Sequence, residues 1–135
     1  MKSKIYNVFT ALLFLLLVNF DLPAQTNSTE NRTENDQVHV YYFHFTVRCV
    51  TCKAVESETR KDVKELFGND VQFSAYNLDE PEGTEKGREL GVNSQTLLVV
   101  SGDKKINLTT QGFLYASTKP EKFKKIIEET IKPLL

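Results

Sequence analysis

The sequence predicts an α/β fold in which a four-stranded mixed sheet is flanked by helices on both faces. Two observations support this prediction. Runs of strand type alternate with amphipathic runs of helix type along residues 38–135, and their order is β-α-β-α-β-β-α. Because a helix joins the first two strands, those strands should lie parallel with a right-handed crossover. The last two strands are separated by a tight turn and should form an antiparallel hairpin.

The first strand and the first helix frame a Cys-x-x-Cys pair, which contains the only two cysteines of the chain. Residues 38–46 are rich in Val, Tyr and Phe on both faces, which favours a central strand. Residues 49–67 place apolar side chains on one stripe at helical spacing, and Gly68 ends this helix. Cys49 and Cys52 therefore lie where a strand passes into a helix.

The remaining elements follow from the same kinds of pattern. We predict strands at residues 71–76, 96–100 and 104–110, and helices at residues 82–90 and from 118 to about 132. Gly91 closes the short polar helix, and Gly102 lies in the hairpin turn. The strand at 104–110 alternates apolar and polar residues, which suits a sheet edge. Pro120 stands in the first turn of the last helix, within capping-box spacing.

The N-terminal segment predicts export. Residues 1–24 combine a basic start, an apolar run at 8–18 and a small residue, Ala24, at the cleavage position, which is the layout of a secretory signal peptide. An uncleaved membrane anchor is the alternative, but the run is short for a spanning helix of about 20 residues. Residues 25–37 are predicted to be a flexible polar tether before one domain at 38–135. We expect a periplasmic or extracellular protein.

Composition excludes several classes of function. The formal charge is −1, and without residues 1–24 it becomes about −2, which argues against nucleic acid as a partner. The sequence shows no Gly-rich phosphate loop, no flavin or nicotinamide fingerprint and no Ser-His-Asp set, so we expect no cofactor. Disulfides persist in exported proteins, so the redox state of Cys49 and Cys52 becomes the central chemical question.

Three features of residues 38–135 resemble thioredoxin-like proteins. They are the Cys-x-x-Cys after the first strand, the acidic run at 76–81 with Glu-Leu-Gly-Val at 89–92, and the segment at 92–100 that leads into the third strand. A narrower resemblance is to a bacterial group known as a nitroreductase subunit of aromatic-arsenical resistance operons. That resemblance lies in the segments at 41–44, 48–49, 52–56, 95–100 and 113–116.

The resemblance implies that Cys49 is the attacking thiol and Cys52 the resolving thiol. The residues support this order, because unpaired N–H groups at a helix start stabilise a thiolate, and Arg48 can add a positive charge beside Cys49. His44 could tune the thiols or pass protons, although a purely structural histidine is the alternative. His39 is expected on the surface.

Gln95 stands where thioredoxins carry a cis-proline, so by resemblance it should face the sulfurs. Because a non-proline cis bond costs about 2.5–4 kcal/mol, we predict a trans Ser94–Gln95 bond. Gly112, Phe113 and Tyr115 follow the last predicted strand. They are expected either to line the rim of the same site or to pack against the final helix.

Two functions remain open at this stage. The first is thiol–disulfide exchange through Cys49 and Cys52 with a protein disulfide or, as the resemblance implies, a membrane thiol–disulfide transporter. The second is a binding module in which the two thiolates capture a thiophilic metal or an arsenical. A purely structural disulfide is disfavoured, because so short a loop stabilises by only about 2 kcal/mol. A closed zinc site needs four ligands, and only His39 and His44 remain as nitrogen donors.

Overall fold

A four-stranded mixed sheet with the strand order β2-β1-β3-β4 forms the centre of residues 37–135. The computed structural model describes residues 37–135, so the predicted signal peptide and, apart from Gln37, the predicted tether lie outside the described residues. The strands are β1 (His39–His44), β2 (Gln72–Asn77), β3 (Thr96–Ser101) and β4 (Lys104–Asn107). The helices are α1 (Val50–Phe67), α2 (Pro81–Leu90), α3 (Thr109–Tyr115) and α4 (Pro120–Ile131), followed by a 3-10 turn (Lys132–Leu134).

The parallel pairing of β1 with β2 and the antiparallel pairing of β3 with β4 are the ones that the sequence predicts. β1 pairs with β2 in parallel and with β3 in antiparallel orientation, and β3 and β4 form the antiparallel hairpin. The hairpin turn contains Gly102 at φ +55°, a conformation that favours glycine. The predicted α/β class is therefore confirmed. No helix within residues 37–135 is both long and apolar enough to cross a membrane.

The main core lies on one face of the sheet, between the sheet and α1, α3 and α4. Helix α1 buries Val55, Thr59, Asp62 and Val63, which recur at helical spacing and so lie on one stripe. The core also includes the following side chains from the strands, α3 and α4: Val40, Tyr42, Leu97, Val99, Leu108, Ala116, Phe123, Ile127 and Ile131. This packing fixes the first turn of α1 against the end of β1.

Helix α2 covers the other face, so helices flank the sheet on both sides as predicted. Gly83 is buried on this helix, and a Cβ atom there would lie 1.9 Å from the carbonyl oxygen of Asn77. Only glycine allows so close an approach. His39 and Tyr41 belong to this face and stack with 4.0 Å between ring centroids. His39 is half-buried rather than on the surface, and burial, followed by the charge of Lys86, lowers its pKa.

The predicted strand at 104–110 is wrong in its second half, because β4 ends at Asn107 and α3 begins at Thr109. The side-chain oxygen of Asn107 accepts the N–H of Thr109 at 2.9 Å, which turns the chain out of the strand. Gly112 then lets α3 approach α1, since a Cβ there would lie 3.0 Å from Cγ1 of Val55. The observed order is therefore β-α-β-α-β-β-α-α.

Candidate dithiol site

Cys49 and Cys52 form a disulfide at the N-terminus of α1, with 5.1 Å between their Cα atoms. Cys49 is the N-cap residue rather than the first helical residue, and its Sγ accepts the N–H of Cys52 at 3.1 Å. The side chain of Cys49 is exposed, whereas Cys52 is only 6% exposed. An incoming sulfur can therefore reach Cys49 but not Cys52.

Three exposed apolar residues lie close to Cys49 along the chain. Val47 is 92% exposed, Val50 is 84% exposed and Phe45 is 39% exposed. We call these three residues the apolar rim. Isolated apolar residues on a surface are ordinary, but three exposed ones within six positions of the chain next to Cys49 form a candidate contact patch. Such a patch suits contact with a protein segment better than contact with a small polar ligand.

Arg48 lies beside Cys49 in the chain, but its guanidinium forms an ion pair with the carboxylate of Glu56. Glu56 also accepts a hydrogen bond from Arg60 at 2.9 Å. Burial alone would raise the pKa of Glu56, but the hydrogen bonds and charges of Arg60 and Arg48 together lower it. Part of the positive charge of Arg48 is therefore balanced by Glu56, and its effect on the Cys49 thiol stays a prediction.

His44 ends β1 near the site but forms no hydrogen bond with either cysteine in the described part of the chain. Its Nδ1 lies 3.0 Å from the carbonyl oxygen of Phe45, and its ring centroid lies 6.0 Å from that of Tyr42. A role for His44 in proton transfer therefore stays a prediction.

Gln95 reaches the site through a buried tyrosine. The Nε2 of Gln95 donates a hydrogen bond to the hydroxyl of Tyr42, and that hydroxyl donates to the carbonyl oxygen of Cys52 at 2.9 Å. Tyr42 is completely buried. No peptide bond in residues 37–135 is cis, so the Ser94–Gln95 bond is trans as predicted. No site role for Tyr42 could be predicted, because no sequence pattern links Tyr42 to Gln95, which lies 53 residues further along the chain.

Gly112, Phe113 and Tyr115 lie on α3 and belong to the packing of the helices. Gly112 is buried, and Phe113 and Tyr115 pack against the core. Nζ of Lys122 lies 4.0 Å from the centroid of the Tyr115 ring, which ties α3 to α4. Of the two expectations for these residues, the structure favours packing against the final helix.

The residues that could hold a metal are few. Among residues 37–135, no group of three or more His, Cys, Asp and Glu side chains is placed to hold a metal ion. A reduced Cys49–Cys52 pair would thus offer two sulfur donors without a third protein ligand from this part of the chain. Two thiolates suit a soft metal or a metalloid that takes further ligands from elsewhere.

The chain is similar to several proteins of known structure. No family model matches the chain, and no curated protein matches it. The chain is similar to oxidised thioredoxin O2 from Arabidopsis thaliana, at 16% identity, over 73% of this chain and 79% of that chain, with a TM-score of 0.49. It is also similar to thioredoxin f2 from Chlamydomonas reinhardtii, at 21% identity, over 73% and 82% of the two chains, with a TM-score of 0.47.

The fold follows from the topology of the chain itself. A parallel β1–β2 pair, an antiparallel β1–β3–β4 arrangement and helices on both faces surround a Cys-x-x-Cys pair that follows the first strand. Residues 37–135 thus have a thioredoxin-like α/β fold that places a disulfide at the N-terminus of α1.

Proposed function

We propose that this protein is an exported thiol–disulfide redox protein that exchanges electrons with a disulfide of a partner protein or of a membrane thiol–disulfide transporter. The observation that supports this function most directly is the asymmetry of the pair. Cys49 is exposed at a helix N-cap, and Cys52 is buried within disulfide distance of it. A disulfide with only a structural role would not need one accessible sulfur at the start of a helix.

The chemistry proceeds in two exchanges. In the reduced protein, the Cys49 thiolate attacks one sulfur of the partner disulfide, a mixed disulfide forms, and the partner's other sulfur leaves as a thiolate. The Cys52 thiolate then attacks the Cys49 sulfur and releases the partner's second thiolate. Two electrons pass from the dithiol to the partner, and the Cys49–Cys52 disulfide remains. The same steps in reverse oxidise a partner dithiol.

Two features of the site favour the first step. The Cys52 N–H already points at the Cys49 sulfur in the disulfide form, and the N-terminal end of α1 carries partial positive charge. Both stabilise negative charge on that sulfur, so Cys49 should be the more acidic thiol. The apolar rim can bury part of an extended partner segment around the reacting sulfurs.

A trapping experiment tests the proposal. Cys52→Ser should form a long-lived mixed disulfide with a disulfide-bonded model peptide, because the resolving sulfur is missing. The matched variant Cys49→Ser should form at least tenfold less adduct, since its remaining thiol is buried. Mass spectrometry of the intact protein measures both yields. Equal yields from the two variants, or no exchange by the reduced wild-type protein, would overturn the proposed function.

Export is part of the proposal and is supported by the signal-peptide layout of residues 1–24. Expression of the full chain in a bacterial host, followed by fractionation and N-terminal sequencing, tests it. We expect a mature chain that begins close to Gln25 in the periplasm or the medium. Full-length protein retained in the cytoplasm would contradict this part of the proposal.

Capture of a thiophilic metal or an arsenical is the second candidate function. The close spacing of the two sulfurs favours it, as does the resemblance of several segments to the aromatic-arsenical resistance group. Titration of the reduced protein with Cu(I) and As(III) separates the candidates. Disulfide exchange without submicromolar metal binding supports the redox function, and tight binding without exchange supports capture.

A further inference from the structure

Three segments of the chain meet at one buried hydroxyl group. Tyr42 comes from β1, Gln95 immediately precedes β3, and Cys52 lies in the first turn of α1. The tyrosine hydroxyl accepts a hydrogen bond from the Gln95 amide and donates its own proton to the carbonyl oxygen of Cys52. Both the donor and the acceptor capacity of the hydroxyl are used, which a completely buried polar group requires.

Both main-chain polar groups of Cys52 form hydrogen bonds that involve the site. Its carbonyl oxygen accepts from Tyr42 at 2.9 Å, while its N–H donates to the Cys49 sulfur at 3.1 Å. A shift of the Cys52 main chain would therefore change the distance from that N–H to the reactive sulfur. The hydroxyl of Tyr42 connects the sheet and the loop before β3 to the group that stabilises a thiolate.

Core packing alone does not explain a tyrosine at position 42. The next residue of β1, Phe43, is equally buried without a hydroxyl group. A phenylalanine at position 42 would fill nearly the same volume without the desolvation of a polar group. The hydroxyl is retained here with two hydrogen-bond partners, one of which belongs to the redox-active pair.

We infer that Tyr42 and Gln95 are positioning residues of the dithiol site, which act through the main chain of Cys52 to hold its N–H on the Cys49 sulfur. This inference deepens the proposed function, because it concerns the reactivity of the attacking thiol. The Gln95 amide orients the tyrosine hydroxyl, and the hydroxyl fixes the first turn of α1. Gln95 thereby couples the loop before β3 to the sulfur chemistry.

The thiol pKa of Cys49, measured in a Cys52→Ala background, tests the inference. In that background Cys49 is the only thiol of the chain, so the pH dependence of its alkylation rate gives one pKa. Tyr42→Phe and Gln95→Met should each raise this pKa by about half a unit. That shift reduces the thiolate fraction about threefold at a pH below the pKa and corresponds to about 0.7 kcal/mol, within the net contribution of one hydrogen bond.

Tyr41→Phe is the matched control, since Tyr41 is the neighbouring residue of the same strand and lies on the opposite face of the sheet. It should leave the pKa within about 0.1 unit of the parent value, a shift worth only about 0.14 kcal/mol. The double variant Tyr42→Phe/Gln95→Met should shift the pKa no further than the larger single effect, because both changes break one chain of hydrogen bonds.

An unchanged pKa in both single variants, even with a lower melting temperature, would overturn the inference and leave the two residues with a structural role. A shift in Tyr42→Phe alone would overturn the assignment of Gln95. The pKa measurement needs no partner protein, so its outcome does not depend on whether the proposed function is correct. A wild-type protein that fails to exchange disulfides would refute the function while this pKa comparison still decides the positioning role.

Discussion

Asp62 is a carboxylic acid that the fold encloses near α4. It is 1% exposed, and its Oδ2 has no hydrogen-bond partner, as is also true of Oγ1 of the buried Thr59. Burial raises the pKa of Asp62 from 3.8 to about 6, against the smaller opposing effects of Lys61 and Lys124. It lies ten positions beyond Cys52 on α1, about 15 Å along the helix, so it cannot exchange protons directly with the sulfurs.

Replacement of Asp62 by Asn should stabilise the protein at neutral pH. The folded chain binds the Asp62 proton more tightly than the unfolded chain, so this contribution to stability is present below pH 3.8 and is lost as the pH rises through about 6. The stability of Asp62→Asn relative to wild type should increase between pH 4 and pH 7 by about 2 kcal/mol. Urea unfolding across this pH range measures the difference.

The exposed turn residue Asp103 provides the control for this experiment. Asp103→Asn should change the free energy of unfolding by less than about 0.5 kcal/mol at every pH, as is usual for surface substitutions. A stability difference between Asp62→Asn and wild type that does not vary with pH would contradict the pKa assignment.

At the level of single residues, the sequence could predict the cysteine pair but not the residues that form hydrogen bonds with it. Spacing and position after a strand identify Cys49 and Cys52. The Tyr42–Gln95 contact could not be predicted, because the pairing of strands in three dimensions brings these residues together. No local sequence pattern signals that pairing. Asp62 was missed for another reason. It falls on the apolar stripe of α1, where pattern analysis treats an acidic residue as exposed.

Among the elements, α3 shows why local patterns can mislead. Ile106 and Leu108 alternate with polar residues, which predicts a strand that continues to residue 110. Leu108 is instead the N-cap of α3 and is buried. The Asn107 side chain turns the chain at this point, and tertiary packing then decides in favour of a helix. The other elements were predicted to within a few residues because their periodicity and glycine ends are strong signals.

The packing of helix α2 against the end of β2 requires glycine at position 83. The carbonyl oxygen of Asn77 occupies the space that a Cβ of residue 83 would need. The side chain of Asn77 also donates to Thr46 Oγ1 at 2.9 Å, and the N–H of Thr46 donates to Asp79 at 2.8 Å. The contact at Gly83 thus supports the loop that leads from β1 to Cys49.

Gly83→Ala should destabilise the fold by about 1–3 kcal/mol, because the added methyl group must displace backbone atoms. Glu85→Ala is the control, since Glu85 is exposed on the same helix and alanine favours helix formation. Urea unfolding at constant pH measures both variants. Equal free energies of unfolding for Gly83→Ala and Glu85→Ala would contradict this prediction, because they would show that α2 can move away from β2 without a loss of stability.

Over the whole molecule, charge is distributed unevenly. The chain has a formal charge of −1, yet the outer face of α1 presents an open groove of about 620 Å³ with an excess of cations. The residues that line it are Arg48, Lys53, Glu56, Ser57, Arg60, Lys61, Lys64 and Glu65. Because Arg48 and Lys53, which line this groove, flank the Cys49–Cys52 pair in the chain, the field of the groove should attract an acidic partner segment toward Cys49.

Reversal of one of these charges should slow the reaction with acidic partners. With a disulfide-bonded peptide flanked by aspartates, Lys53→Glu should reduce the rate of mixed-disulfide formation several-fold at low salt. The effect should largely disappear at 1 M salt, where the screening length is about 3 Å. Stopped-flow measurements against Lys104→Glu, at an exposed position on β4, provide the control. A slowing that persists at high salt would indicate a structural cause.

The disulfide joins positions 49 and 52, which are neighbours in the unfolded chain as well as in the folded one. Oxidation therefore removes little freedom from the unfolded ensemble. Folding and oxidation form a closed thermodynamic cycle, so a stabilisation of about 2 kcal/mol by the bond means that folding shifts the equilibrium between dithiol and disulfide by a factor of about 30. If the pair cycles as proposed, most of the stability that holds the tertiary structure should therefore come from the core and not from the bond that is made and broken.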